Sequence, residues 1–135
     1  VLSDQIVTDG AVTLAAPASI VHAGLSYDAL IETLNLNIPR RDGSQMGRKL
    51  RVSGVILQYE DSRGLFVGTD EEHMSEQIDR TDEAYGEPTR LTSGYYQHTL
   101  DSGYDSGSII VKAPYPMPAS VLSLTPVVDP VAAFS

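Results

Sequence analysis

Three histidines offer the widest choice of chemistry in this chain, and they lie far apart. His22, His73 and His98 match no metal-ligand spacing, and each alone is more typical of a structural or surface position. The chain has no cysteine, which excludes disulfides, zinc–thiolate sites and cysteine nucleophiles. It also lacks a Gly-x-Ser-x-Gly elbow and any phosphate-binding glycine pattern. We therefore expect no catalytic centre and no cofactor.

An acidic segment offers a second kind of chemistry, cation binding. Four of its side chains carry suitable donor atoms: Asp70, Glu72, His73 and Glu76. Their order does not follow the calcium-loop pattern, and no glycine stands where that loop needs its turn. The surrounding residues 69–88 contain few large apolar side chains. We predict a long exposed acidic loop, with at most one short helical turn around Met74 and Ile78.

Tyrosines offer a third possibility, a sugar-binding platform. The three that would form it are Tyr95, Tyr96 and Tyr104. An aromatic platform beside a carboxylate such as Asp105 would suit a carbohydrate. Tyrosines more often fill strand edges and subunit contacts, and we favour that role here.

Basic and acidic residues are segregated along the chain. Six of the nine basic residues lie between positions 40 and 63, and ten of the eighteen acids lie between positions 60 and 87. Either both regions are simply solvated, or the basic face of one copy meets the acidic loop of a neighbouring copy. The candidate contact residues for the second alternative are Arg40, Arg41, Arg48 and Lys49 on one side, and Asp70, Glu71, Glu72 and Glu76 on the other.

Length and net charge limit the class of protein. A chain of 135 residues predicts a single domain, residues 1–135, with a sizeable core. The net charge of −9 argues against a basic nucleic-acid-binding surface and against contact with an anionic membrane. No apolar run approaches the roughly 18 residues of a membrane span, and the N-terminus does not have the pattern of a signal peptide. The start at Val1 fits a processed protein or a fragment, and we expect a fragment of a longer chain.

The strongest strand signal lies in residues 45–68. Apolar residues alternate with polar ones first at Leu50 and Val52, and then with the opposite parity at Val55, Leu57 and Tyr59. A one-residue slip at Ser53 and Gly54 would reconcile the two halves, and glycine is typical of such a β-bulge. The sequence therefore predicts one long strand with a bulge near its middle.

The end of this strand predicts a hairpin. Residues 61–64, Asp-Ser-Arg-Gly, are typical of a turn in which Gly64 takes a positive φ. We expect residues 65–67 to return beside the first strand. A strand pair this apolar needs a second layer to cover it.

The rest of the chain predicts an all-β fold. Further strands are predicted at residues 5–8, 11–14, 19–23, 25–38, 91–100, 108–113 and 120–128. Asp9 and Gly10 form a two-residue hairpin signal, and three prolines in residues 114–118 predict an extended crossing at a sheet edge. About eight short strands separated by turns are typical of an antiparallel β-sandwich or barrel, here with one long acidic loop.

Three phrases, taken in order, carry a resemblance to a known family. They are Gly-Leu-Ser-Tyr at residues 24–27 with Ile-Glu-Thr-Leu at 31–34, Gln-Met-Gly-Arg-Lys-Leu-Arg-Val at 45–52 with Ser-Arg-Gly-Leu-Phe-Val-Gly at 62–68, and Gly-Tyr-Asp at 103–105 with Pro-Met-Pro-Ala-Ser-Val-Leu-Ser-Leu-Thr-Pro at 116–126. Over residues 7–129 the chain resembles the C-terminal region of the tail nozzle (tail tubular protein B-like) proteins of short-tailed bacteriophages.

This resemblance implies a structural protein of the virion tail and not an enzyme. Such proteins form a ring, typically a hexamer, that extends the channel for DNA ejection and contacts other tail proteins or fibres. DNA would pass through the ring without being specifically bound, and no membrane partner is expected. A carbohydrate-binding β-sandwich is the alternative function.

Overall fold

The computed structural model describes the chain in several stretches, namely residues 5–25, 27–37, 39–40, 43–44, 49–78, 84, 87, 89–101, 104–105 and 107–129. These residues form antiparallel β-sheets and no helix. The described part therefore contains no helix long and apolar enough to cross a membrane. The prediction of an all-β antiparallel fold is confirmed.

Ten strands occur in the described part of the chain. In chain order they are β1 (Ala29–Glu32), β2 (Pro39–Arg40), β3 (Gly43–Ser44), β4 (Leu50–Ser62), β5 (Phe66–Gly68), β6 (Met74–Glu76), β7 (Thr92–Thr99), β8 (Tyr104–Asp105), β9 (Ile110–Ala113) and β10 (Ser120–Asp129).

The strands build two main sheets. The β9 sheet has the order β1-β9-β5-β6, and the β4 sheet has the order β10-β4-β7, with β8 also paired to β4. β2 and β3 form a separate two-stranded ribbon. Neither main sheet closes on itself within the described residues, so the arrangement corresponds to the sandwich alternative and not to a barrel.

β4 is the central strand of its sheet and contains the predicted bulge. Val127 of β10 pairs with Gly54 and Val128 pairs with Val52, so Ser53 is the extra residue. Its Oγ donates a 3.3 Å hydrogen bond to the Val127 carbonyl oxygen. A Cβ at Gly54 would lie 2.9 Å from the His98 carbonyl oxygen, so glycine permits the close approach of β7.

The predicted hairpin after β4 is wrong. β5 does not return beside β4; it pairs with β9 on one side and β6 on the other, so the chain crosses from one sheet to the other. Of the turn predicted over residues 61–64, Gly64 has the expected positive φ of 70°, whereas Asp61 and Ser62 still belong to β4. The Arg63 amide donates a 3.1 Å hydrogen bond to the Pro118 carbonyl, which directs the chain away from β4.

The core lies between the two sheets. The β4 sheet contributes Val52, Val55, Leu57 and Tyr59, and the β9 sheet with its flanking residues contributes Leu65, Val67, Ile109, Val111 and Ala113. All of these side chains are buried. The β4 strand is thus covered by a second sheet, the kind of layer that its apolar face requires.

The N-terminal third differs most from the predictions. The turn at Asp9 and Gly10 is present, with φ of 50° and 76°, but it joins only a single bridge between Thr8 and Ala11. Residues 19–23 are not in a strand, and the strand predicted over 25–38 is limited to β1 among the described residues. Period-two alternation alone could not reveal that no described strand pairs with residues 19–23.

The acidic segment also contains a strand that the sequence did not predict. β6 lies at the edge of the β9 sheet and includes Met74, where a helical turn was the alternative. Gln77 follows it and is buried. Local helix propensity was overridden by pairing with β5.

Candidate interaction surfaces

The described N-terminal segment exposes an unusual number of large apolar side chains. Ile6 is 89% exposed, Leu25 is 96% exposed and Leu34 is 91% exposed. Other exposed apolar side chains in the same segment are Val7, Val12, Ile20, Val21, Tyr27, Leu30 and Ile31. Single exposed apolar residues are ordinary, whereas ten of them between positions 6 and 34 are typical of a chain segment that a partner covers.

β1 connects this segment to the sandwich, and all four of its residues are exposed. It pairs with β9 on one side, from Ala29 opposite Ala113 to Glu32 opposite Ile110. At its end the Thr33 amide donates to the Ile109 carbonyl at 2.9 Å, and the Thr33 Oγ1 accepts from the Ile109 amide at 2.9 Å. The strand is therefore well anchored by its backbone, while its side chains remain uncovered.

The predicted basic contact residues are only partly described. Lys49 is exposed and immediately precedes β4. Arg40 ends β2, where only the backbone is described. Arg41 and Arg48 lie outside the described residues. A continuous basic face therefore stays a prediction.

Asp70 organises the acidic turn between β5 and β6. Its Oδ1 accepts hydrogen bonds from the Glu72 amide at 2.9 Å, from the His73 amide at 2.8 Å and from His73 Nδ1 at 2.9 Å. The hydrogen bond to His73 holds the pKa of Asp70 below its ordinary value and raises the pKa of His73. The pair thus fixes the shape of the turn.

Glu71 is also engaged within the chain. Its Oε2 lies 3.4 Å from Lys112 Nζ, and the same ammonium lies 2.9 Å from Asp28 Oδ2. Lys112 belongs to β9, so this bridge links the acidic turn to the residue before β1. Hydrogen bonds to Asp28 and Glu71 raise the pKa of Lys112.

The remaining acidic candidates, Glu72 and Glu76, are exposed. No cluster of three or more metal-ligating side chains occurs among the described residues. Of the four acidic contact candidates, Asp70 pairs with His73 and Glu71 pairs with Lys112, so two of them already have partners within the chain.

Two members of the predicted tyrosine platform, Tyr95 and Tyr96, lie on opposite faces of their sheet. Tyr95 is 71% exposed, whereas Tyr96 packs against the core. The two are neighbours in β7, where successive side chains point to opposite faces. The backbone of Tyr104 lies in β8, and its side chain is not described.

His98 is a buried histidine whose environment the sequence analysis did not identify. It is 1% exposed, and neither ring nitrogen has a hydrogen-bond partner among the described residues. Its ring centroid lies 4.5 Å from that of Tyr96, and burial lowers the pKa of the imidazole. Its alternation with Tyr96 and Leu100 was the available sign of an inward position.

A scan against protein-family models gave no match. A search of curated proteins gave no significant match.

Proposed function

We propose that this chain is an assembly domain of a bacteriophage tail, resembling the C-terminal region of tail nozzle proteins. It acts by binding copies of itself and other tail proteins. The longer chain that contains this domain forms a ring around the path of the ejected DNA. Its location would be the tail of the virion.

The exposed apolar segment of residues 5–34 is the observation that carries the assembly role. A small β-sandwich with a well-packed core has no internal need for Ile6, Leu25 and Leu34 to face water. Covering such side chains with another subunit removes apolar area from water, which is the main driving force of association. The segment thus gives the domain a surface suited to a protein partner.

The tail assignment is supported by the three sequence phrases. The phrase at residues 45–52 leads into β4, the central strand of one sheet, and the phrase at 116–126 leads into β10, which pairs with β4. The phrase at residues 24–34 includes β1. The shared phrases therefore fall on structural elements of the sandwich and its apolar edge.

The charge of the chain is compatible with a DNA channel. A net charge of −9 repels the phosphate backbone, so DNA would not be retained during ejection. The basic residues near Lys49 and the acidic turn near Glu72 provide a second, polar kind of subunit contact.

Sequencing the genes that flank the coding gene tests the tail assignment. The proposal expects genes for a portal protein and for tail fibres or other tail components beside it. A neighbourhood of unrelated metabolic genes, without any virion gene, would contradict it.

One observation favours a second candidate, a carbohydrate-binding module: Tyr95 presents an exposed ring on the outer face of β7. A glycan array distinguishes the two functions. A defined glycan ligand whose binding is abolished by Tyr95→Ala, but not by Tyr27→Ala at a similarly exposed ring, would replace the assembly proposal.

A further inference from the structure

The turn at Asp9 and Gly10 combines two residue types that support a reaction within the backbone. The side-chain carboxyl carbon of an aspartate can be attacked by the backbone nitrogen of the next residue, which closes a five-membered succinimide ring. Glycine in the second position favours this attack, because it has no Cβ beside the nitrogen and its backbone rotates freely. Asp9 and Gly10 are both exposed, and a Cβ added to Gly10 would meet no described atom within 4 Å.

The two reacting groups are not held by hydrogen bonds in the described structure. Among the described residues, the hydrogen bonds made by residues 8–11 are the two of 3.0 Å between the backbones of Thr8 and Ala11. The Gly10 amide and the Asp9 carboxylate take no part in them. Neither group must therefore lose a hydrogen bond before it reacts.

Closing the ring requires Asp9 to leave its present backbone conformation. Its φ of 50°, with 76° at Gly10, is typical of a type I′ turn, in which the first side chain points away from the next nitrogen. An L-residue at positive φ is strained, so rotation out of this conformation relieves strain. The turn is closed by one isolated bridge, and no described strand pairs with residues 5–14. Its opening is therefore a local event that leaves the sandwich folded.

Three other described aspartates lack this combination. The carboxylate of Asp28 lies 2.9 Å from Lys112 Nζ, and Oδ1 of Asp70 accepts three hydrogen bonds within its own turn. Asp61 belongs to β4, and the residue after it, Ser62, is fully buried. All three are followed by a residue that has a side chain. Of these four aspartates, Asp9 is the one placed to react.

We propose that Asp9 is a site of spontaneous isoaspartate formation in the folded chain. The Gly10 nitrogen bonds to the side-chain carboxyl carbon of Asp9, and one carboxyl oxygen leaves as water with the carboxyl proton and the amide proton. Water then adds to the main-chain carbonyl carbon of Asp9, the bond from that carbon to the Gly10 nitrogen breaks, and the nitrogen regains a proton. The chain now runs through the Asp9 side chain, and the mass is unchanged because one water leaves and one enters.

The product changes the shape of the exposed apolar segment. Isoaspartate adds one methylene to the backbone between residues 9 and 10, so Thr8 and Ala11 lose the spacing of a two-residue turn. The reaction would thus alter part of residues 5–34 as the protein ages. It does not depend on the proposed assembly function.

Peptide mapping of the intact chain tests the proposal. The folded chain, kept dilute, and a sample unfolded in guanidinium chloride are incubated for several weeks at neutral pH. Trypsin then releases residues 1–40 as one peptide, because Arg40 is the first basic residue of the sequence. The isoaspartyl peptide has an unchanged mass and a shifted retention time, and fragmentation by electron transfer locates the modified residue.

We expect isoaspartate at residue 9 to accumulate in the folded chain at a rate within about tenfold of that in the unfolded sample, because the turn opens without global unfolding. Asp61, which lies in a different tryptic peptide, should stay unmodified in the folded chain.

Asp9→Asn supplies a faster version of the same reaction. Asparagine closes the same ring with loss of ammonia in place of water, and Asn-Gly also favours the type I′ turn. Residue 9 of this variant should convert to aspartate and isoaspartate well before the wild type does. The matched control is Asp61→Asn, which should keep its asparagine in the folded chain because Ser62 is buried.

Two results would overturn the proposal. An unmodified Asp9 in the folded chain would show that the closed turn protects the site, and so would an Asp9→Asn variant that keeps its asparagine while folded. Modification of Asp61 as fast as that of Asp9 would contradict the role assigned to the exposed turn. None of these results depends on whether the chain associates, so the assembly function is tested separately.

Discussion

The backbone amide of Ser120 donates a 2.7 Å hydrogen bond to Oγ of Ser62, which joins the first residue of β10 to the last residue of β4. The same hydroxyl donates a 2.7 Å hydrogen bond to the carbonyl oxygen of Glu60. Ser62 is fully buried. This single side chain therefore satisfies two backbone groups where the chain leaves the β4 sheet.

Replacing this hydroxyl should loosen the corner. Ser62→Ala removes the acceptor of the Ser120 amide, so we expect the free energy of unfolding to fall by about 1–2 kcal/mol. Urea denaturation followed by circular dichroism measures this change. The matched control is Ser93→Ala, because Ser93 Oγ accepts the Asp61 amide at 2.8 Å on an exposed part of the same corner. Equal losses of the free energy of unfolding in the two variants would show that burial does not strengthen the contribution of Ser62 to stability.

The crossing between the sheets depends on Gly64. Its φ is 70°, and a Cβ at this position would lie 2.5 Å from Tyr115 Cδ2. Gly64→Ala combines backbone strain with this steric conflict and should destabilise the fold by more than about 1 kcal/mol.

Gly10 supplies the control for Gly64. It has a similar φ of 76°, but a Cβ added to Gly10 would meet no atom within 4 Å among the described residues. Gly10→Ala should therefore cost less than Gly64→Ala in the same urea experiment. A larger cost at Gly10 would contradict the packing of Tyr115 over Gly64.

His98 should make stability depend on pH. Burial lowers the pKa of its imidazole below the ordinary value of 6.5, so the unfolded chain binds the proton more tightly than the folded chain. The stabilisation that depends on neutral His98 is fully present above the pKa of the unfolded chain. It is lost as the pH falls from there through the lowered pKa of His98 in the folded chain. We expect the free energy of unfolding to decrease between about pH 7 and pH 5.

A substitution isolates the contribution of His98. His98→Leu should reduce this pH dependence and should be at least as stable as the wild type near neutral pH, because no unpaired ring nitrogen remains buried. An unchanged slope in His98→Leu would mean that other groups cause the pH dependence.

The chain should not bind duplex DNA at physiological salt. Its net charge of −9 opposes the counterion release that drives protein–DNA association. Fluorescence anisotropy with a labelled duplex should give no saturable binding at micromolar protein concentrations. Tight binding at moderate salt would contradict the proposed role around a DNA path.

The sequence predicted those features of the fold that depend on the local pattern of apolar, polar and turn residues. The change of parity between Val52 and Val55 located the bulge at Ser53, because burial of alternate residues on both halves of β4 requires one extra residue. The positive φ of Gly64 and the strands β7, β9 and β10 were predicted for the same reason, since each has a strong local signal.

Features that depend on distant partners were not predicted. A turn before β5 is compatible both with a hairpin and with a crossing to another sheet, and only the Ser62 and Arg63 contacts with residues 118–120 decide between them. The pairing of Glu71 with Lys112 likewise joins residues far apart in the chain. The apolar pattern of residues 19–23 predicted a strand, but it contains no information about whether another segment lies beside these residues.

Sedimentation velocity of the wild-type chain over a wide concentration range measures whether this domain assembles. We expect a sedimentation coefficient that rises with concentration towards a closed oligomer, because the apolar side chains of residues 5–34 become covered by neighbouring copies. A single boundary with the mass of one chain at every concentration would contradict it.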